Sequence, residues 1–158
     1  MKKSIRQVGD SIFDKRLSQL TKRYPYQSFV VMSAALEFLG KAFSGRNNFQ
    51  ESGHSSGDFE DVIKNLSALK KYSKYNDFYH KLRCGMLHAF APDDIILKRG
   101  MNNIEKNEIG ARELCEDLRK AWEELKTLPN CKAHIKETYI LDVHGTMSGS
   151  TLTQQLSL

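Results

Sequence analysis

The sequence predicts an all-α protein, a four- to five-helix up-and-down bundle with a small C-terminal β element. Apolar residues recur at helical spacing in five separate stretches. The chain's 3 prolines, Pro25, Pro92 and Pro129, fall between those stretches and not inside them. Strand-like patterning is confined to short runs.

The first helix is read from Ser11 to Arg23, with a Ser11-x-x-Asp14 start and a stripe of Phe13, Leu17 and Leu20. Pro25 suits the first turn of a second helix, Tyr26 to Phe43. Phe29, Val30, Met32, Ala35, Leu36, Leu39 and Phe43 cover one face of it, and Val31, Ala34 and Phe38 most of another. A helix apolar nearly all round belongs at the centre of a bundle. Its polar residues Ser33, Glu37 and Lys41 form a narrow stripe. Residues 44–57, rich in Gly, Ser and Asn, read as a loop before a third helix capped by Asp58, with Val62, Ile63, Leu66 and Leu69 inward.

The fourth helix starts near Asn76 or Asp77 and ends before Pro92. Ile95-Ile96-Leu97 suggests a short strand within a polar loop. The fifth helix, Ala111 to Leu128, places Leu114, Leu118, Ala121, Trp122 and Leu125 on one stripe, and Pro129 ends it. Beyond it, Tyr139 to Val143 has strand character, a turn is read at Gly145 to Gly149, and Ser150 to Leu158 reads as either a returning strand or a tail. Residues 1–130 form the bundle, and 131–158 a C-terminal extension of the same domain.

The 158 residues are 40% hydrophobic and 27% charged, which excludes disorder throughout and leaves enough core to fold without staples. Three widely spaced cysteines, Cys84, Cys115 and Cys131, argue for reduced thiols and a cytoplasmic location. The start Met1-Lys2-Lys3-Ser4 has no apolar run behind it, and no stretch is long enough to span a bilayer, so neither a signal peptide nor membrane association is expected. The formal charge of +5 favours an anionic partner. Cys131, His134 and His144 lack the ligand set of a metal site, and neither metal nor cofactor is expected. Lys70 to Tyr75 interleaves Lys with Tyr, which fits either the end of a helix or a stacking surface for RNA.

The chemistry concentrates in the fourth helix. At about 100° per residue, Phe78, Tyr79, Leu82, Met86, Ala89 and Phe90 form one apolar face. Arg83, Leu87, His80, Cys84 and His88 share the other, with Arg83 and His88 about 140° apart. An Arg, two His and a Cys are an unusual solvent face and suit a cleft or an interface. Gly85 leaves a low spot for close approach. Glu37, mid-helix among apolar neighbours, needs a cation, either Lys41 one turn on or Arg83.

Arg83-Cys84-Gly85-Met86-Leu87-His88, late in a helix of an all-α bundle, resembles the Arg-x(4–6)-His motif of the HEPN (higher eukaryotes and prokaryotes nucleotide-binding) superfamily. It also resembles Arg-Cys-Gly-hydrophobic-hydrophobic-His segments of HEPN-like bacterial proteins. The resemblance spans roughly residues 10 to 128. It implies a bundle that dimerises with the motif helices facing each other, and either metal-independent endoribonuclease activity of a toxin or defence type or a non-catalytic module binding RNA, nucleotide or protein. On this reading Arg83 and His88 are the catalytic pair, His80 and Cys84 line the nucleic-acid surface, and Glu37 supports Arg83. The implied partners are a second copy through the fourth helix, RNA, and an antitoxin or other protein. Active members usually carry Asn, Asp or His after the Arg, where this chain has Cys84. A third reading makes Arg83 and His88 a polar cluster that only holds a dimer together.

Overall fold

A computed structural model of the protein describes residues 2–49, 53–89, 91, 92 and 94–142. The chain is mainly helical. A short strand β1 (Lys2–Ser4) leads into α1 (Ile5–Ile12), and α2 (Lys15–Arg23) follows after a two-residue break. The start of α1 is a capping box. Ser4 Oγ accepts from the Gln7 backbone N–H (3.3 Å), and the Ser4 N–H donates to Gln7 Oε1 (3.0 Å). The helix expected from Ser11 to Arg23 is therefore two. The expected Ser11–Asp14 start is replaced by Asp14 alone, whose carboxylate accepts from the Arg16 N–H.

Helix α3 (Pro25–Phe43) carries Pro25 in its first turn, where a missing N–H costs nothing. It is the central helix, packed against α2 and against α4 (Ser55–Asn65), α5 (Ala111–Thr127) and α6 (Pro129–Glu137). Phe29, Met32, Ala35, Leu36, Leu39 and Ala42 are buried. Its burial is not complete, because Val31 and Ala34 face out. Helix α4 starts three residues before Asp58. That residue is no cap: it is buried and takes the Arg46 guanidinium through Nε (2.7 Å) and Nη2 (2.9 Å).

A 3₁₀ turn at Lys70–Lys74 leads to a wide helix at Tyr79–Ala89, the motif helix. Two short parallel strands, β2 (Ile96–Lys98) and β3 (Glu108–Gly110), precede α5. Trp122 of α5 stacks on Phe13 with ring centres 5.5 Å apart. Its indole N–H donates to Asp10 (2.8 Å), and Gly9 faces the indole where no Cβ would fit. Helix α6, which begins at Pro129, was not anticipated. It packs on α5 and α1 and spans the expected 130/131 boundary, so residues 129–137 pack with the helices before them. Strand β4 (Tyr139–Asp142) pairs antiparallel with β1 at the other end of the chain. The turn read at 145–149 and the strand or tail read at 150–158 lie outside the described residues. No helix among the described residues is long and apolar enough to cross a membrane.

Candidate functional site

The motif helix is built on one hydrophobic anchor line: Phe78, Leu82 and Met86 are buried against α3 and α4. Phe78 and Tyr79 both lie against the Phe59 ring of α4, at 5.7 and 5.3 Å between centres. Asp77, before the helix, takes a left-handed φ of 52°, which Asp tolerates better than most residues. Its carbonyl accepts the Lys81 N–H, and the helix then runs with the i to i+5 pairing of a π-helix.

That pairing changes the geometry expected from an α-helix. A π-helix turns about 80° per residue, so Arg83 and His88 fall within about 50° of one another and not 140°. They share one side of the helix, a single wide turn apart. π-Helical segments are rare and recur at functional sites.

Gly85 is also used differently from what was expected. The chain returns over it: the Ala91 N–H donates to the Gly85 carbonyl (3.2 Å), and a Cβ at residue 85 would sit 2.5 Å from the Ala91 carbonyl oxygen. The low spot is filled by the protein's own Ala91–Pro92 segment and is not open to a second helix. Phe90, expected on the apolar face, lies outside the described residues.

Arg83 is held from α3. Its Nε (3.0 Å) and Nη2 (2.8 Å) both donate to Glu37 Oε2. The other carboxylate oxygen accepts the Ser55 hydroxyl (2.8 Å), with Lys41 Nζ at 3.4 Å. Lys41 in turn donates to the Phe49 carbonyl (2.6 Å). Both candidate cations for Glu37 are therefore present, and Arg83 is the closer. The Tyr79 ring lies 5.7 Å from the guanidinium carbon, a cation–π contact. Burial alone would raise the Glu37 carboxyl. The Ser55 hydroxyl and the Arg83 and Lys41 charges outweigh it and hold the group below the usual carboxylate value. Desolvation likewise works against the Arg83 cation, and Glu37 more than restores it.

The remaining predicted residues are more open. His88 is exposed and makes no hydrogen bond or ion pair among the described residues. His80 is exposed, edge-on to Tyr79 at 5.1 Å between rings. Cys84 is half-buried beside Arg83 and Tyr79. Glu37, Arg83 and Cys84 thus form one cluster, with His88 one turn away.

Ser55 and Tyr79 are members that the sequence reading missed. Ser55 reaches Glu37 only through tertiary packing. Tyr79 sits four residues before Arg83, a spacing that could have suggested the contact. The Lys70–Tyr75 segment is not a stacking surface. Tyr72 and Tyr75 are buried, Tyr72 donates to Asp117 Oδ2 (2.8 Å), and Lys71 pairs with Asp117 and Glu113. His134 is engaged by the Arg46 carbonyl (3.2 Å) and the Thr138 hydroxyl (3.1 Å), and Cys131 is buried.

The fold and site define a mainly helical protein with an Arg–Glu centre on a wide helix. Comparison with family models, with curated proteins and with solved structures finds no match.

Proposed function

We propose that the protein is a metal-independent endoribonuclease of HEPN-like type, active as a homodimer in which two copies of the Arg83/His88 site face one RNA strand. What carries this reading is the pinned guanidinium of Arg83, which π-helix geometry sets on the same side as an exposed His88 with no hydrogen bond or ion pair among the described residues. Glu37 occupies two of the five guanidinium N–H donors and fixes the plane of the group, so the others can engage a phosphate oxygen.

Cleavage follows from those groups. One His88 takes the proton from a ribose 2′-hydroxyl as its oxygen attacks phosphorus. Arg83 neutralises the charge that builds on the phosphate. The bond to the 5′-oxygen breaks, and the partner's His88 returns a proton to that leaving oxygen. The products are a 2′,3′-cyclic phosphate and a 5′-hydroxyl. Antitoxin-like control and cytoplasmic action belong to this same reading.

The test is incubation of purified protein with RNA in the presence of EDTA. Cyclic phosphate ends in the wild type and their loss in His88→Ala are expected. Equal cleavage by the variant, or cleavage of DNA, sinks the proposal. A second reading, a non-catalytic RNA-, nucleotide- or protein-binding dimer, is favoured by Cys84, which offers a poor hydrogen bond where a polar residue would serve catalysis. That reading expects binding without cleaved ends.

A further inference from the structure

Many of the cations among the described residues sit beside a carboxylate. Arg6, Arg16, Lys41, Arg46, Lys71, Arg83 and Lys98 all lie within an ion-pair distance of Asp or Glu. Among those without one, four lie together. A groove of about 550 Å³ between α2, α5 and the 99–100 turn is lined by Lys22, Arg99, Arg112 and Arg119. None of the four makes an ion pair among the described residues, although Glu116 lines the same groove. Four like charges lining one groove with a single carboxylate leave a net positive charge there, and an anion bound between them would offset it.

The groove shares no residue with the Glu37–Arg83 cluster. The start of α5 does not supply the anion site, because the Arg112 and Glu113 N–H groups already donate to the Arg99 and Gly100 carbonyls. The positive character belongs to side chains. Cys115 forms part of the wall, and burial pushes its thiol up, so it stays neutral and leaves the positive charge undiminished.

We propose that this groove binds a small, hydroxyl-rich molecule carrying two or more phosphate groups, of the sugar-bisphosphate class. The volume suits a small-molecule ligand. Three guanidinium groups and one ammonium match two phosphates, since Arg offers paired donors to phosphate oxygens. Glu116 would be repelled by a phosphate, yet it accepts from a sugar hydroxyl, and the Ser18 hydroxyl on α2 adds a second polar contact. None of the described lining residues is aromatic, so they offer no stacking platform for a nucleobase.

Titration calorimetry on the full chain with a hexose bisphosphate, a hexose monophosphate, inorganic phosphate, ADP and a ten-nucleotide RNA tests this. The bisphosphate should bind saturably, at least tenfold tighter than the monophosphate or phosphate, and weaken as salt rises. Arg99→Gln/Arg112→Gln, which removes no side-chain hydrogen bond among the described residues, should weaken it at least tenfold. His88→Ala should leave it unchanged. If the double variant does not fold, Arg112→Gln alone and perturbation of the Cys115 amide signal on bisphosphate addition report the same location. Absence of saturable bisphosphate binding, or binding undiminished by the variants, overturns the site. Tenfold tighter binding of ADP or RNA overturns the ligand class.

Discussion

Lys71 and Arg83 are both cations drawn to carboxylates on another part of the chain, and their surroundings diverge. Lys71 bridges Glu113 and Asp117, while Asp117 also accepts the buried Tyr72 hydroxyl (2.8 Å). Asn102 closes that network. Its side-chain N–H reaches Tyr72 (3.1 Å), its side-chain oxygen accepts the Gly110 N–H (2.8 Å), and its own N–H donates to Glu113 (2.7 Å). The network ties both the 70–74 turn and the 99–110 segment to α5, and burial pushes the Tyr72 phenol far up. Arg83 is held as firmly by Glu37, yet one turn on lies an exposed His88 with no hydrogen bond or ion pair among the described residues. The difference teaches that pairing alone does not mark a working site. A closed network spends its polar groups on structure, whereas a pinned cation beside an idle titratable group leaves chemistry available.

The largest effect should come from breaking the closed network. Asp117→Ala leaves Tyr72 without its acceptor and Lys71 with one partner fewer, which should cost about 2–4 kcal/mol in unfolding free energy. Denaturant titration measures it. A loss under about 0.5 kcal/mol would mean that this cluster is not the tie described.

Glu37→Ala should cost less, about 1–3 kcal/mol, because Arg83 can turn toward solvent where its partner was. Arg83→Gln/Glu37→Gln should recover part of that loss, since neither charge is then left unpaired. The sharper readout is functional. On the nuclease reading, Glu37→Ala should reduce RNA cleavage while leaving the proposed binding to the 22/99/112/119 groove untouched.

The same pair sets a pH dependence. The Glu37 carboxyl is held below its ordinary value of 4.5 in the folded state. Its contribution is therefore complete above that value in the unfolded chain and is lost as pH falls through the lower folded value. The stability gap between wild type and Glu37→Gln should be constant from pH 7 to about 5 and close below about 4.5. A gap that persists unchanged at pH 3 would show that the carboxylate charge is not what holds Arg83.

How much of this the sequence carried differs between elements. Helices α3 and α5 were legible to within a residue or two, because long periodic apolar stripes between prolines leave little choice. Helix α6 was not, because Pro129 was read as a stop and not as a first turn, and only Cys131 and Ile135 are buried along it. The reading of the Arg83–His88 helix as the candidate site came from its unusual polar face. Its geometry did not follow, because a 3.6-residue period was assumed where the backbone pairs i to i+5. The partner of Gly85 was hidden for a different reason: a return by Ala91 depends on a turn that no side-chain pattern announces. The basic groove was half legible, since Arg112, Glu116 and Arg119 share one helix spacing, but Arg99 arrives there only through the fold.

The smallest change in stability belongs to the most informative substitution. His88 is exposed and unpartnered among the described residues, so His88→Ala should move the unfolding free energy by no more than about 0.5 kcal/mol. On the nuclease reading it should abolish cyclic-phosphate ends, while Arg83→Lys, which keeps the charge but loses the planar fork, should retain a small fraction of them. On the structural reading His88→Ala should instead weaken the dimer, visible as a concentration-dependent shift in sedimentation, with no RNA product in the wild type to lose. Stability unchanged and cleavage lost would separate the open cluster at Arg83 from the closed one at Lys71, where no substitution can remove function without first loosening the fold.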